Sequence, residues 1–203
     1  MSYDYKISDL KYRINGLVPK EVCDYFIKVF EENPDFIEKE NSYKFKSNRS
    51  EQDDYLALNL SDSTLKDKKF KVVLNKALFY INIMMQNYVL YIKNGISPDF
   101  SDVFFKHTNA VRILKYNTGA FIKDHSDSGN DPVDVAGTLT RGSCTLNLNE
   151  DYEGGTFKFF NGQIKEDFKT GDAMFFPADT FWLHGTEPVT KGTRYCINCF
   201  LHA

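Results

Sequence analysis

The sequence predicts an α+β fold: helices first, then a run of short antiparallel strands closing as a sandwich or jelly roll. Three observations carry that expectation. Before about residue 100, apolar residues recur every three or four positions. From Val103 onward the period changes to two. Gly, Asn and Asp clusters then punctuate the apolar runs at Asn117-Thr-Gly119, Gly154-Gly155, Asn161-Gly162 and Gly171-Asp172. Helices followed by many short strands is an α+β order, with the helices packed on one sheet.

The first helix is expected over Pro19–Phe30. Pro19 suits a first helical turn, Glu21 favours the dipole there, and Asn33-Pro34 stops the helix. Val22, Tyr25, Phe26, Val29 and Phe30 form its apolar face. A second, longer helix is expected from about Leu65 to Asn94, where Phe70, Val73, Ala77, Ile81, Met84 and Tyr88 keep the helical spacing. Its most apolar part, Ala77–Ile92, contains Asn82, Gln86 and Asn87 and falls short of the roughly 20 residues of a membrane span. Between the helices, Glu40–Ser63 is polar and irregular, with Tyr55–Asn59 a short strand. The later strands are expected at Ala110–Tyr116, Gly142–Asn149, Thr156–Phe160, Ala173–Phe176, Trp182–Thr186 and Arg194–Leu201. No repeat or long linker divides the chain. Residues 1–203 read as one domain, with 1–100 mainly helical support and 101–203 the strand core.

Lys and Arg number 25 against 28 Asp and Glu, a net charge of -3, without the basic excess of a nucleic-acid binder. Aromatic residues make up 15%, enough for a β-rich interior. Met1–Leu10 is polar, so no secretory leader is read there, and Cys23, Cys144, Cys196 and Cys199 are expected as reduced thiols in a cytoplasmic setting. Cys196-Ile-Asn-Cys199 is formally a CxxC, but it lies in a strand. Positions three apart in a strand face opposite ways, whereas a redox CxxC wants a helix N-terminus.

Four histidines occur in the chain, and His125-Ser126-Asp127 sets an imidazole and a carboxylate two residues apart. At a strand end both reach the same side, and His184, on a later strand, can supply a third ligand. Two His and one carboxylate on one face suit non-haem Fe(II), with positions left open. An isolated HxD is weak on its own. The last strand adds to it: Arg194, Cys196 and Asn198 share one face, and Tyr195, Ile197, Cys199 and Leu201 the other. An Arg on the polar face of such a strand suits a wet pocket that takes a carboxylate. The strand before it alternates likewise, with Thr145, Asn147 and Asn149 opposite Cys144, Leu146 and Leu148.

Four ordered motifs then carry a family resemblance: Tyr116-Asn-Thr-Gly-Ala-Phe-Ile-Lys-Asp-His-Ser-Asp127, Leu146-Asn-Leu-Asn-Glu-Asp-Tyr-Glu-Gly-Gly-Thr-Phe157, Gly171-Asp-Ala-Met-Phe-Phe-Pro177 and His184-Gly-Thr-Glu-Pro-Val-Thr-Lys-Gly-Thr-Arg-Tyr195. Over about Ala110–Leu201 the sequence resembles the Fe(II)/2-oxoglutarate-dependent dioxygenases, in the prolyl 4-hydroxylase-like branch that includes protein prolyl and lysyl hydroxylases. The resemblance implies a double-stranded β-helix (jelly-roll) core, with Fe(II) held by His125, Asp127 and His184. It implies 2-oxoglutarate and O2 as cosubstrates, with Arg194 on the distal carboxylate of 2-oxoglutarate, Tyr116 beside it and Asn198 near Arg194. Ascorbate is a candidate auxiliary reductant. The activity implied is hydroxylation of an unactivated C–H bond, with release of succinate and CO2. One departure stands out: many relatives place Tyr where this chain has Asn147, so Thr145 or Asn147 is expected to contribute to the cosubstrate contacts. Arg at position 194 is the lysyl-hydroxylase-like choice, where collagen prolyl hydroxylases tend to have Lys.

For the substrate, a prolyl or lysyl residue of a protein or peptide is the first reading and a free amino acid or other small molecule the second. A non-catalytic module is disfavoured by the intact triad and Arg194. A nucleic-acid demethylase is disfavoured because its second Arg would stand at position 200, which is Phe. No membrane partner is expected. Ser128–Arg141 reads as a lid or a surface loop, Arg49 and Tyr55 as residues reaching the substrate, and Trp182 as either a pocket floor or core filler. The acidic runs near Asp53-Asp54 and Asp131–Asp134 would attract a basic peptide.

Overall fold

The structure, a computed structural model, describes residues 6–41, 54–100, 105, 107–128 and 140–202. Three α-helices and twelve strands are described: α1 (Lys20–Glu31), α2 (Leu60–Lys66) and α3 (Phe70–Gly95), with β1 (Tyr12–Ile14), β2 (Ile37–Asn41), β3 (Asp54–Asn59), β4 (His107–Tyr116), β5 (Thr140–Asn147), β6 (Glu153–Gly154), β7 (Phe157–Phe159), β8 (Ile164–Glu166), β9 (Ala173–Pro177), β10 (His184–Thr186), β11 (Val189–Lys191) and β12 (Arg194–His202).

The helices follow the periodicity, with local corrections. Pro19 stands just outside α1, extended at φ -56 and ψ 145, and its carbonyl receives the amides of Val22 and Cys23. Its missing N–H costs nothing at that position. Asn33 closes the other end by donating from Nδ2 to the Val29 carbonyl at 2.7 Å. The long second helix starts at Phe70 instead of Leu65, and a separate short helix, α2, precedes it in the stretch read as irregular. Asp67 is extended, and its carboxylate receives the Lys69 amide at 2.9 Å, an N-cap-like arrangement that ends α2 and starts α3 afresh. Along α3, Phe70, Val73, Ala77, Ile81, Met84, Tyr88 and Ile92 are buried. None of the described helices is long and apolar enough to cross a membrane.

Seven strands form an antiparallel sheet in the order β1-β9-β5-β12-β4-β3-β2. A three-stranded sheet, β10-β7-β8, and a two-stranded one, β11-β6, complete the described strands. The first half of the chain thus adds β1 and the β2-β3 edge to the large sheet besides its helices. The strand expected at Trp182–Thr186 is shorter, because Trp182 lies in a turn closed by its own amide on the Asp179 carbonyl. β2, β8 and β11 had no alternating apolar signal to announce them.

Register assigns the two faces of the large sheet. Directly opposed residues share a face, so Tyr195, Ile197, Cys199 and Leu201 of β12 lie with Cys144 and Leu146 of β5, Ile113 of β4 and Ala173 and Phe175 of β9. This face packs against Cys23, Phe26 and Phe30 of α1 and the buried stripe of α3 in one apolar cluster. The other face carries Arg194, Cys196 and Asn198 beside Thr145 and Asn147, with Tyr116, Leu114 and Arg112 on the far side. Cys196 and Cys199 therefore point oppositely, and all four cysteines are free and buried.

The edge strand β1 is fixed to the sheet by a buried carboxylate. Asp172 accepts from Arg13, from the Gly16 amide at 2.9 Å and from the Lys169 amide at 2.7 Å. Asp172→Ala leaves the Gly16 and Lys169 amides without that acceptor, while Arg13 keeps Glu166 and the Asp167 carbonyl. It should lower stability by about 2–4 kcal/mol, read as a reduced denaturant midpoint, with Asp172→Asn intermediate.

Candidate metal centre and cosubstrate pocket

His125 and His184 are brought together by the backbone before their side chains do anything. Each residue's amide donates to the other's carbonyl at 2.9 Å, an isolated antiparallel bridge that sets the ring centroids 4.4 Å apart. The approach needs Gly185. A Cβ there would sit 2.7 Å from Asp124 Oδ1 and from the Ile122 carbonyl oxygen. Asp127 completes the group, with Oδ1 3.2 Å from His125 Nε2 and Oδ2 3.4 Å from His184 Nε2. Ligand atoms from all three lie within 4.8 Å of one another.

The tautomers follow from the acceptors. His125 Nδ1 meets the Lys123 carbonyl at 2.8 Å and His184 Nδ1 meets the Trp182 carbonyl at 3.0 Å. A carbonyl only accepts, so both Nδ1 atoms carry hydrogen, and each ring when neutral has its free lone pair on Nε2, on the Asp127 side. Ser143 Oγ donates to Asp127 Oδ2 and orients it. Burial works against the Asp127 charge, yet the two imidazoles and the Ser143 hydroxyl outweigh it and hold the carboxyl far below its usual range. Burial keeps His184 below its ordinary value; at His125 the hydrogen bond and charge of Asp127 overcome burial and raise it. His184 is boxed by Phe157, Phe159 and Phe176, with Phe157 stacked on it at 5.5 Å and 14°.

Arg194 begins β12 on the same sheet face and is only 2% exposed. Its Nε has no hydrogen-bond partner among the described residues. Burial opposes its charge, and the groups that act on it to keep it are Cys196, Tyr152 and Tyr116, none a carboxylate. Its guanidinium sits 5.4 Å over the Tyr116 ring, and Tyr116 pairs with it across the strands. A buried cation without an anion among the described residues is costly, and such a geometry suits an anionic ligand.

The other expected site residues take different places. Thr145 lies on the cleft face with its hydroxyl toward the Cys196 thiol. Asn147 is buried, and its Nδ2 is spent on the carbonyls of Asn149 at 2.6 Å and Lys169 at 3.2 Å, so it braces a turn instead of facing a ligand. Asn198 shares the Arg194 face but accepts from Arg112 Nε at 3.2 Å. Trp182 is sealed among Phe159, Phe160 and Phe176 as core filler. Tyr55, expected at the substrate, is buried, stacked on Tyr116 at 5.1 Å and bonded through its hydroxyl to Glu40 at 3.2 Å. Arg49 and most of Ser128–Arg141 lie outside the described residues. Glu40, Arg112, Ser143 and Tyr152 went unassigned in the sequence. Alternation from Tyr116 back to Arg112, and from Thr145 back to Ser143, could have found two of them.

With this geometry described, the likeness to known proteins is specific. The profile of the 2OG-Fe(II) oxygenase superfamily matches residues 111–202. A PKHD-type hydroxylase of Sphingopyxis alaskensis is 28% identical over 151 residues, covering 72% of this chain and 61% of the relative, so the match spans about three fifths of that protein's length. The prolyl hydroxylase from Trichoplax adhaerens, solved with a hypoxia inducible factor oxygen degradation domain peptide fragment, superposes with a TM-score of 0.67 at 12% identity, over 96% of this chain and 84% of that one. The viral collagen prolyl hydroxylase from Paramecium Bursaria Chlorella virus-1, in its 2OG complex, gives 0.58 at 16% identity, over 100% and 99%. At these identities the structural likeness shows a shared fold: a mostly antiparallel sheet with helices.

Because the bridge between His125 and His184 depends on the bare Cα of Gly185, Gly185→Ala should separate the two segments. Hydrogen exchange at the His125 and His184 amides should accelerate at least tenfold while exchange in β12 and β5 stays slow. Unchanged protection of both amides would contradict this account of the close approach.

Proposed function

From the match of residues 111–202 to the 2OG-Fe(II) oxygenase superfamily profile, we propose that the chain belongs to that family and is an Fe(II)- and 2-oxoglutarate-dependent hydroxylase of a prolyl or lysyl residue in a protein or peptide, releasing succinate and CO2. The observation that carries this reading is the buried Arg194, lacking a carboxylate partner among the described residues, on the same cleft face as an oriented His-Asp-His group. The donor set fits the metal: two imidazole nitrogens and one carboxylate are mixed ligation that suits Fe(II) and leaves open positions. Residues 101–203 are read as the double-stranded β-helix core, and 1–100 as the half that backs it.

When bound together, Fe(II) and 2-oxoglutarate supply oxidative decarboxylation with O2, coupled to hydroxylation of the substrate. The chain's own residues do the rest. His125 and His184 present Nε2 because the carbonyls of Lys123 and Trp182 hold their Nδ1 hydrogens. Ser143 turns Asp127 so that its oxygens face both imidazoles. Phe157, Phe159 and Phe176 keep water from His184. Arg194 takes the distal carboxylate of 2-oxoglutarate as a planar fork, and Tyr116 fixes the plane of that fork from below. Each ring must be neutral to ligate, and His125 titrates above the ordinary 6.5. Metal affinity therefore falls with acidification, starting above that pH.

The reading predicts a split between two variants. Asp127→Ala removes a ligand and should abolish Fe(II)-dependent succinate formation while the protein stays folded. Arg194→Ala should leave metal affinity within a few-fold and raise the 2-oxoglutarate requirement. Loss of one partner of a buried charge-assisted pair costs roughly 2–5 kcal/mol, about thirty- to several-thousand-fold. An active Asp127→Ala protein, or an unchanged 2-oxoglutarate titration in Arg194→Ala, would overturn the respective assignment.

The substrate class rests on the likeness to hydroxylases whose names specify prolyl substrates, one of them solved with a peptide. A panel of prolyl and lysyl peptides, beside free proline and lysine, should show addition of one oxygen to a peptide by mass spectrometry. Modification of a free amino acid with none of any peptide would point to a small-molecule hydroxylase instead.

A further inference from the structure

A second cluster of buried polar groups lies on the cleft face, and no metal or cosubstrate role uses it. Register sets Glu40 of β2 opposite Tyr55 of β3, and Tyr116 of β4 opposite Arg194 of β12, with Tyr55 next in line beyond the Leu56–Lys115 pair. The four side chains make one row across four adjacent strands. Every step of the row is a contact. The Tyr55 hydroxyl donates to Glu40 at 3.2 Å. The Tyr55 ring stacks on Tyr116 at 5.1 Å and 27°. The Arg194 guanidinium lies over Tyr116 at 5.4 Å. Arg112, on the same face of β4, anchors the outer end with Nη1 on Glu40 at 2.7 Å, while its Nε is held by Asn198.

We propose that Glu40, Arg112 and Tyr55 are positioning residues for Arg194, a braced row whose function is to hold Tyr116, and through it the guanidinium, in the one plane that accepts the distal carboxylate of the 2-oxo acid. The proposal rests on the reading of Arg194 as the carboxylate-binding residue. Two physical arguments support it. A buried ion pair such as Glu40 with Arg112 adds little net stability over well-packed apolar residues, so its retention beside the cleft calls for a role in orientation. Arg194 also has no carboxylate among the described residues to fix its rotamer; the Tyr152 hydroxyl holds one edge of it, and the Tyr116 face restrains its plane. That face is itself fixed only if its far side is packed, which is what Tyr55 does. Tyr55 in turn is held from sliding by its hydroxyl on Glu40.

The row ends at the guanidinium, so the effect must depend on the distal carboxylate. In Mn(II)-loaded protein, Tyr55→Leu should weaken 2-oxoglutarate binding about tenfold by calorimetry, with Mn(II) affinity unchanged. Pyruvate has the same chelating end but no distal carboxylate. Its binding, followed by Mn(II)-induced relaxation of its methyl protons, should be the same in wild type and variant. Glu40→Gln should give a smaller loss in the same direction. Tyr55→Phe keeps the ring and loses only the hydroxyl, and should lose about two- to threefold for 2-oxoglutarate alone; it decides the matter if the Leu variant does not fold. An unchanged 2-oxoglutarate affinity in the folded Tyr variants, or equal losses for 2-oxoglutarate, pyruvate and Mn(II), would overturn the positioning role. A wild-type protein that binds Mn(II) but not 2-oxoglutarate would instead remove the reading on which the proposal rests, and the proposal with it.

Discussion

The alternation of β12 is the constraint on which the rest of the molecule depends. The strand lies at the middle of the seven-stranded sheet, paired with β4 on one side and β5 on the other. Tyr195, Ile197, Cys199 and Leu201 must therefore enter the core with α1 and α3, and Arg194, Cys196 and Asn198 must enter the cleft. A slip of one residue would send the arginine into the apolar cluster and the aliphatic residues into the cleft. The burial that holds the helices to the sheet is thus also what aims Arg194. Helix packing and cleft chemistry share one register.

Two arginines occupy the cleft face, and their surroundings separate their roles. Arg112 has a carboxylate at 2.7 Å and a side-chain amide on its Nε. Arg194 has aromatic and hydroxyl neighbours and an unpaired Nε. An ionised group without a counter-charge in a buried site carries a penalty of several kcal/mol. Under the proposed function a ligand supplies the missing anion, and Arg112, already neutralised, has no comparable call on one. The same logic covers the His125-Asp127-His184 group. Asp127 stays ionised through its imidazole and Ser143 neighbours, and the Nε2 atoms of both rings face it.

Much of this was legible in the sequence because it lies in regular strands. The period of two placed Arg194 with Asn198 and Thr145 with Asn147 on cleft faces, and the His125-Ser126-Asp127 spacing put two ligands on one side. What stayed hidden depends on pairing between distant segments. Glu40 lies in a polar stretch without periodicity, and only its register with Tyr55 makes it a cleft residue. The side-chain amide of Asn147 looked available, but the carbonyls of Asn149 and Lys169 take its Nδ2 hydrogens. The short helix α2 stayed hidden because its sequence, Leu60–Lys66, carries only Leu60 and an exposed Leu65 as apolar residues, and the Asx-type bond from Asp67 to Lys69 that precedes α3 has no periodic signal.

The helical half of the chain is more than a buttress. Its β2-β3 edge carries Glu40 and Tyr55 to the cleft, while α1 and α3 cover the opposite face of the same strands. Residues upstream of the metal motif therefore act on both sides of the large sheet. On one side they supply apolar area and set stability. On the other they supply oriented polar groups whose net contribution to stability is small and whose effect is geometric. Substitutions in Ile81 or Phe26 would be felt as loss of folded protein, whereas under the positioning proposal substitutions in Tyr55 would be felt at the guanidinium two strands away in the row. That difference in where energy is spent separates the packing face from the cleft face, although both are built from the same seven strands.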